Sequence, residues 1–224
     1  MAAYRRRAGG YILSHMQWKH GRSKPVIGII GGIGSGKSAV AGLFAQEGCA
    51  VIDSDVLSHE VIQLPEVKAE LRQWLGAGIL DEVGRVSRKA VGRIVFADPD
   101  KLKRLNGIIH PRIGRLRDGL MAQYLADSGV KAVVWDTPLL LETGLNRECD
   151  VVVFVKATDQ IRAQRVAKTR GWSAEELAKR EKSQIGLDKK AAIADYCIDN
   201  NGDEVASLLQ VQRVLSHLFS TNRL

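Results

Sequence analysis

The chain reads as a three-layer α/β fold built on a five-stranded parallel sheet, carrying a helical insertion and a helical lid. Three observations predict it. Five short apolar segments, each closing on a polar residue, alternate with stretches of helical periodicity, the pattern of a parallel sheet covered on both faces. A glycine-rich segment, Gly31 to Ser38, sits between the first of these segments and a helix-patterned run. Finally, 224 residues of 45% hydrophobic content can bury a sizeable core.

The first strand is Val26 to Ile30, β-branched and interrupted only by Gly28; the helix after it, Ala39 to Gln46, sets Val40, Leu43 and Phe44 on one face. The second strand is Ala50 to Ile52. A long excursion follows, from Val56 to about Ser128, too long for an ordinary connection and therefore an inserted helical substructure. Within it Val67, Leu71 and Leu75, and Leu102, Leu105, Ile108 and Ile109, recur at helical spacing, with breaks expected at Pro65, Gly76 to Gly78, Pro99 and Pro111. Strands three and four are Ala132 to Trp135 and Val151 to Val155. The charged stretch Thr158 to Ala191 reads as a mobile helical flap, Tyr196 to Ile198 as the fifth strand, and Glu204 to Leu218 as a closing helix. The core thus comprises residues 26–55, 130–157 and 192–220, the insertion 56–129 and the lid 158–191.

Gly31 to Ser38 fits G-x-x-x-x-G-K-[ST] in the strand-loop-helix context that the motif requires, and so predicts a P-loop that holds a nucleoside triphosphate. Gly31, Gly32, Gly34 and Gly36 permit the backbone turns that aim successive N–H groups of Gly32, Ile33, Gly34, Ser35 and Gly36 at phosphate oxygens, helped by the dipole of the helix that starts near Lys37 and runs through Ala39. Lys37 reaches the β and γ phosphates, and Ser38 offers its hydroxyl to Mg²⁺.

Ligands of a parallel α/β sheet bind outside the carboxyl ends of its strands. Those ends carry Asp53 and Asp55, Asp136, the residues after Val155, and Asp199 to Gly202. Asp53 and Asp55 are candidates to orient an acceptor hydroxyl and take its proton; either can instead cap the helix that follows. Asp136, at the end of an apolar strand, has the position of a Walker B carboxylate that holds Mg²⁺ through water, and Glu142 either shares that role or is a helix residue. Arg165 and Arg170 follow the fourth strand at a distance suited to a lid, where a guanidinium stabilises charge on the transferred phosphoryl group.

The net charge is +8, of which the acid-free stretch Met1 to Pro25 supplies +6, leaving a nearly neutral body. Residues 1–25 are therefore read as a basic, disordered extension, with Met16 an alternative start; nucleic acid is not the expected partner. No apolar run approaches the ~20 residues that span a bilayer. Cys49, Cys149 and Cys197 form no C-x-x-C pair and are expected to be reduced core residues of a cytoplasmic protein.

From Val26 to about Leu218 the chain resembles dephospho-CoA kinases, P-loop enzymes that phosphorylate the 3′-hydroxyl of dephospho-CoA. The resemblance rests on separated motifs: GGIGSGKS; VIDSD at Val51 to Asp55; Gly84, Arg88, Val95 and Phe96 leading into Leu105, Asn106, His110 and Pro111; DTPLLLETG at Asp136 to Gly144; and Gln184, Lys190, Ala194 and Asp195 leading into IDNNG at Ile198 to Gly202. It implies ATP and Mg²⁺, with Asp55 as catalytic base, Arg165 as a lid arginine beside the nucleotide, and the loop holding Asn200 and Asn201 beside adenine. It also implies that the insertion binds dephospho-CoA, with contacts from Arg88 and His110 and from Pro138 and Leu139; His110 can equally be a buried structural histidine. Two departures stand out: Ala39 replaces a common threonine, and TRGW around Arg170 displaces the second lid arginine by a residue. A monomer or weak homo-oligomer is expected. The nearest competing reading is a P-loop kinase for another small acceptor, such as a nucleoside monophosphate. A GTPase is disfavoured, since there is no N-K-x-D and Asp136-Thr-Pro-Leu is not D-x-x-G.

Overall fold

A computed structural model describes residues 18–220; the expectations for residues 1–17, including a start at Met16, fall outside them. Five strands, β1 (Val26–Gly31), β2 (Ala50–Asp53), β3 (Val133–Asp136), β4 (Val151–Lys156) and β5 (Tyr196–Asp199), form one sheet in the order β2-β3-β1-β4-β5. β1 pairs in parallel with β3 and β4, and β4 with β5. The glycine-rich loop therefore leaves the central strand. Gly28 interrupts β1 for a packing reason: a Cβ there would lie 2.5 Å from Leu140 Cδ2 and 2.7 Å from Cys149 Sγ.

The helices are α1 (Lys37–Gln46), α2 (Ser54–Gln63), α3 (Pro65–Leu75), α4 (Arg88–Val95), α5 (Pro99–Ala126), α6 (Asp159–Arg170), α7 (Ala174–Glu181), α8 (Leu187–Ile193) and α9 (Glu204–Ser220). The described residues divide into two compact units, 18–52 with 124–220, and Asp53–Gln123. In the first, Ile27, Ile29, Val134, Val153 and Ile198 of the sheet pack with Val40 and Phe44 of α1 and Val211 and Leu215 of α9. Each such buried side chain stabilises the fold by about 2 kcal/mol. The second has its own core, in which Val61, Val67, Leu71, Ile79, Val91 and Ile108 meet.

Three expectations are corrected. Pro111 does not break the insertion but lies inside α5. Its ring removes the N–H that would serve the Gly107 carbonyl, while Arg112 Nη1 donates to the next carbonyl, Ile108, at 2.6 Å. The extension does not run to residue 25. Trp18 is only 7% exposed, Arg22 donates to Glu148 Oε2 at 3.2 Å, and Lys24 Nζ donates to the Tyr124 carbonyl at 2.8 Å. The carboxylate of Asp150 accepts from the Lys19 N–H and, at 2.7 Å, from the Val26 N–H that opens β1. These basic residues answer local acids and carbonyls, which a count of charges does not reveal. Lastly, Cys49 and Cys149 are buried but Cys197, on edge strand β5, is exposed; burial raises the thiols of Cys49 to about 11 and Cys149 to about 12.

Candidate active site

The loop Gly31 to Ser38 turns through two left-handed glycines, Gly34 at φ +77° and Gly36 at φ +90°, and the second is the N-cap of α1. Neither conformation suits an L side chain. The first-turn N–H groups of α1 have no intrahelical partners and carry the positive end of the dipole, which suits an anion. Lys37 Nζ lies over the loop, donating to the carbonyls of Gly31 at 3.3 Å and Gly32 at 3.0 Å. Burial pushes this ammonium down to about 8; Asp136 opposes the shift, Lys190 and Arg170 add to it, and Glu142 opposes it. Ser38 and Ala39 are exposed on the first turn of α1. Asp136 ends β3 in register with Ile29 of β1 and is 4% exposed. Mg²⁺ takes hard oxygen donors, one or two of them carboxylates, and keeps phosphate and water for the rest; the Ser38 hydroxyl and the Asp136 carboxylate have that chemistry.

Behind the loop, α6 brings two arginines. Arg165 Nη1 donates to the Ser35 carbonyl at 3.0 Å and Nη2 to the Asn200 carbonyl at 2.9 Å. Asn200 Nδ2 also donates to the Ser35 carbonyl, at 2.8 Å. Asn201 Oδ1 accepts from the Thr158 N–H at 2.7 Å, tying the loop after β5 to the start of α6. Arg162, 3% exposed, pairs with Glu181 and, at 2.9 Å, with Asp159, and donates to the Ile33 carbonyl at 3.2 Å. Arg170 instead stacks on Trp172, 4.8 Å from the ring centroid, with Arg180 also on that ring at 4.1 Å.

Glu142 is not a helix residue; it lies in the turn after β3. Its Oε1 pairs with Lys190 Nζ at 3.1 Å and accepts from the Ile185 N–H at 3.0 Å. Lys190, 2% exposed, also donates to Gln184 Oε1 at 3.1 Å. Burial would raise the Glu142 carboxyl, but hydrogen bonds from its own backbone, from Ile185 and from Lys190 outweigh it and hold the group below its ordinary value. Pro138 is half-buried and Leu139 exposed in the same turn. Sequence reasoning missed Arg162 as a brace of the loop. Nothing distinguishes it from the other bases of α6 until burial does.

The remaining candidates belong to the second unit. Asp53 is the N-cap of α2, its Oδ1 accepting from the N–H of Asp55 at 2.7 Å and of Val56 at 3.1 Å. Asp55 is thereby not the cap; its carboxylate stands exposed in the first turn. Arg88 opens α4 after the N-cap Ser87, with Nη1 2.8 Å from His59 Nε2. Arg88 and His110 both line a cavity of about 190 Å³ whose wall includes Ile62, Phe96, Leu105 and Asn106. His110 is exposed, which removes the buried structural alternative.

The family model described as dephospho-CoA kinase matches residues 25–206. A dephospho-CoA kinase of Thermobifida fusca is 42% identical over 183 residues, 80% of this chain and 88% of the relative. Among solved structures, TT1252 of Thermus thermophilus superposes with a TM-score of 0.74 at 32% identity, covering 87% of this chain and 98% of that one. The dephospho-CoA kinase of Campylobacter jejuni shares the fold at a TM-score of 0.64 and 22% identity, covering 89% and 99%. No helix among the described residues is long and apolar enough to cross a membrane.

Proposed function

The chain belongs to the dephospho-CoA kinase family, and on that premise we propose how its residues divide an ATP-dependent phosphoryl transfer to the ribose 3′-hydroxyl of dephospho-CoA. The observation that carries the reading is the Gly31 to Ser38 loop at the end of the central strand, with Lys37 folded over it and Asp136 closing the neighbouring strand. The loop N–H groups and Lys37 hold the triphosphate. Ser38 and, through water, Asp136 would hold Mg²⁺, which when bound would neutralise charge on the phosphates. Arg165 places its positive charge behind the loop, and Asn200 and Asn201 shape the wall beside the base.

Asp55 is the base. Its neighbour Asp53 satisfies the helix terminus, which leaves the Asp55 carboxylate available to orient the 3′-hydroxyl and accept its proton. As that oxygen bonds to the γ-phosphorus, the bond from γ-phosphorus to the β,γ-bridging oxygen breaks and ADP leaves. The acceptor is held by the insertion, where Arg88 and His110 line the cavity, and by Pro138 and Leu139. We place the reaction in the cytoplasm, in keeping with three cysteines that form no C-x-x-C pair, and require no nucleic acid partner.

Two variants test the roles. Asp55→Asn should lower kcat by about 100-fold while ATP binding, read by calorimetry, stays unchanged; normal turnover would remove Asp55 from the mechanism. Lys37→Ala should weaken ATP binding itself.

A further inference from the structure

The Ser35 carbonyl, in the middle of the phosphate loop, accepts from two side chains on two different elements: Arg165 of α6 at 3.0 Å and Asn200 of the loop after β5 at 2.8 Å. Each of these two side chains is also held by a second partner within the protein. Arg165 spends its other terminal nitrogen on the Asn200 carbonyl, at 2.9 Å, and Asn200 spends Oδ1 on the Ser207 hydroxyl, at 3.0 Å. Asn200 is 8% exposed and its own N–H donates to the Lys156 carbonyl at 2.8 Å, so the whole residue is fixed. In a trans peptide the carbonyl and the following N–H point in opposite directions. No described peptide bond is cis. Two donors pulling the Ser35 oxygen toward α6 and β5 therefore turn the Gly36 N–H the other way. Gly36 itself is the complement of this arrangement: a Cβ there would run into Asn200 Nδ2.

We propose that Arg165 and Asn200 are positioning residues of the phosphate loop, which aim the Gly36 N–H by holding the Ser35 carbonyl, and which make correct seating of the β5 loop a condition of phosphate binding. Arg165 then acts through the loop and not as a direct partner of the transferred phosphoryl group. Asn200 acts on the phosphates and not only on the base. The inference rests on the nucleotide reading given above and adds a coupling within it: the phosphate loop and the β5 loop are joined at one oxygen atom.

Inorganic tripolyphosphate separates this from the alternatives because it has phosphates and no base. Its affinity and that of ATP are measured by calorimetry on the full chain, wild type, Asn200→Ala and Arg165→Lys, with thermal melts to establish that each variant is folded. The wild type should bind both. Both variants should weaken both ligands by a similar factor of about ten, since each loses a hydrogen bond that aligns the loop. Lysine keeps the charge but, as a compact single-nitrogen donor on a shorter side chain, cannot reproduce the planar fork that sets Nη1 on the Ser35 carbonyl and Nη2 on the Asn200 carbonyl.

Asn200→Ala that weakens ATP but leaves tripolyphosphate unchanged would make Asn200 a base contact and overturn the proposal. Arg165→Lys with wild-type affinity for tripolyphosphate would also overturn it, since charge alone would then suffice. Wild-type protein that binds ATP but not tripolyphosphate would show that the loop is not prealigned, again against the proposal. Failure of the wild type to bind ATP at all would instead strike the nucleotide reading itself. Should Asn200→Ala not fold, Arg165→Lys, on a half-buried residue, decides alone.

Discussion

Lys37 is an ammonium kept where burial disfavours it. Its value of about 8 in the free protein, against 10.5 for an ordinary lysine, is a statement about linkage. Between those two values the unfolded chain binds more protons than the folded one, so this group makes stability rise with pH across that window. Phosphates restore the ammonium. At pH 8 nucleotide binding should therefore take up about half a proton, fading toward pH 7 where Lys37 is already charged. Calorimetry of ATP binding in buffers of different ionisation enthalpy reads this directly, and zero uptake at pH 8 would contradict it. The residue scale also shows where sequence stops being informative. VIDSD offers two acids for one cap and one base; the choice depends on where α2 begins. Because the helix starts at Ser54, Asp53 is the cap and Asp55 is released. A shift of two residues in the start of α2 would make Asp55 the cap and release Asp53, and nothing in the five letters fixes that start.

Among the elements, the five strands were legible because each is an apolar run closed by a polar residue, and the loop after β1 because its spacing is specific. The insertion was legible as helical but not in its punctuation. Pro111 reads as a break by every local rule, yet α5 continues through it, since flanking packing of Ile108 and Ile109 and the Arg112 bond outweigh one missing donor. The charged stretch 158–191 was the least legible, because charge on a helix does not say which residue is buried. Arg162 and Lys190, both almost fully enclosed, attach α6 and α8 to the loop and to the turn after β3. Lys190→Met should strand the Glu142 carboxylate and cost about 3 kcal/mol, whereas the double variant Lys190→Met/Glu142→Gln should cost less than half of that. Thermal melts of the three proteins check it; equal loss in the single and double variants would mean that the ion pair is not the relevant interaction.

For the whole molecule, two compact units each carry a core and a share of the candidate residues: the phosphate loop, Asp136, Arg165 and Asn200 in one, Asp55, Arg88 and His110 in the other. The sheet order and the loop would serve many P-loop kinases. What selects an acceptor is the insertion, and there the sequence carried spaced motifs, not chemistry that could be derived residue by residue; the cavity lined by Arg88 and His110 became visible only in three dimensions. The acceptor assignment therefore rests on the insertion. It is tested most directly by ADP release from the purified full chain with ATP and Mg²⁺, comparing dephospho-CoA with AMP, CMP, shikimate and no acceptor. Stimulation by dephospho-CoA alone, with the new phosphate on the ribose 3′-hydroxyl, is the predicted result; stimulation by another acceptor, with dephospho-CoA inert, would contradict it.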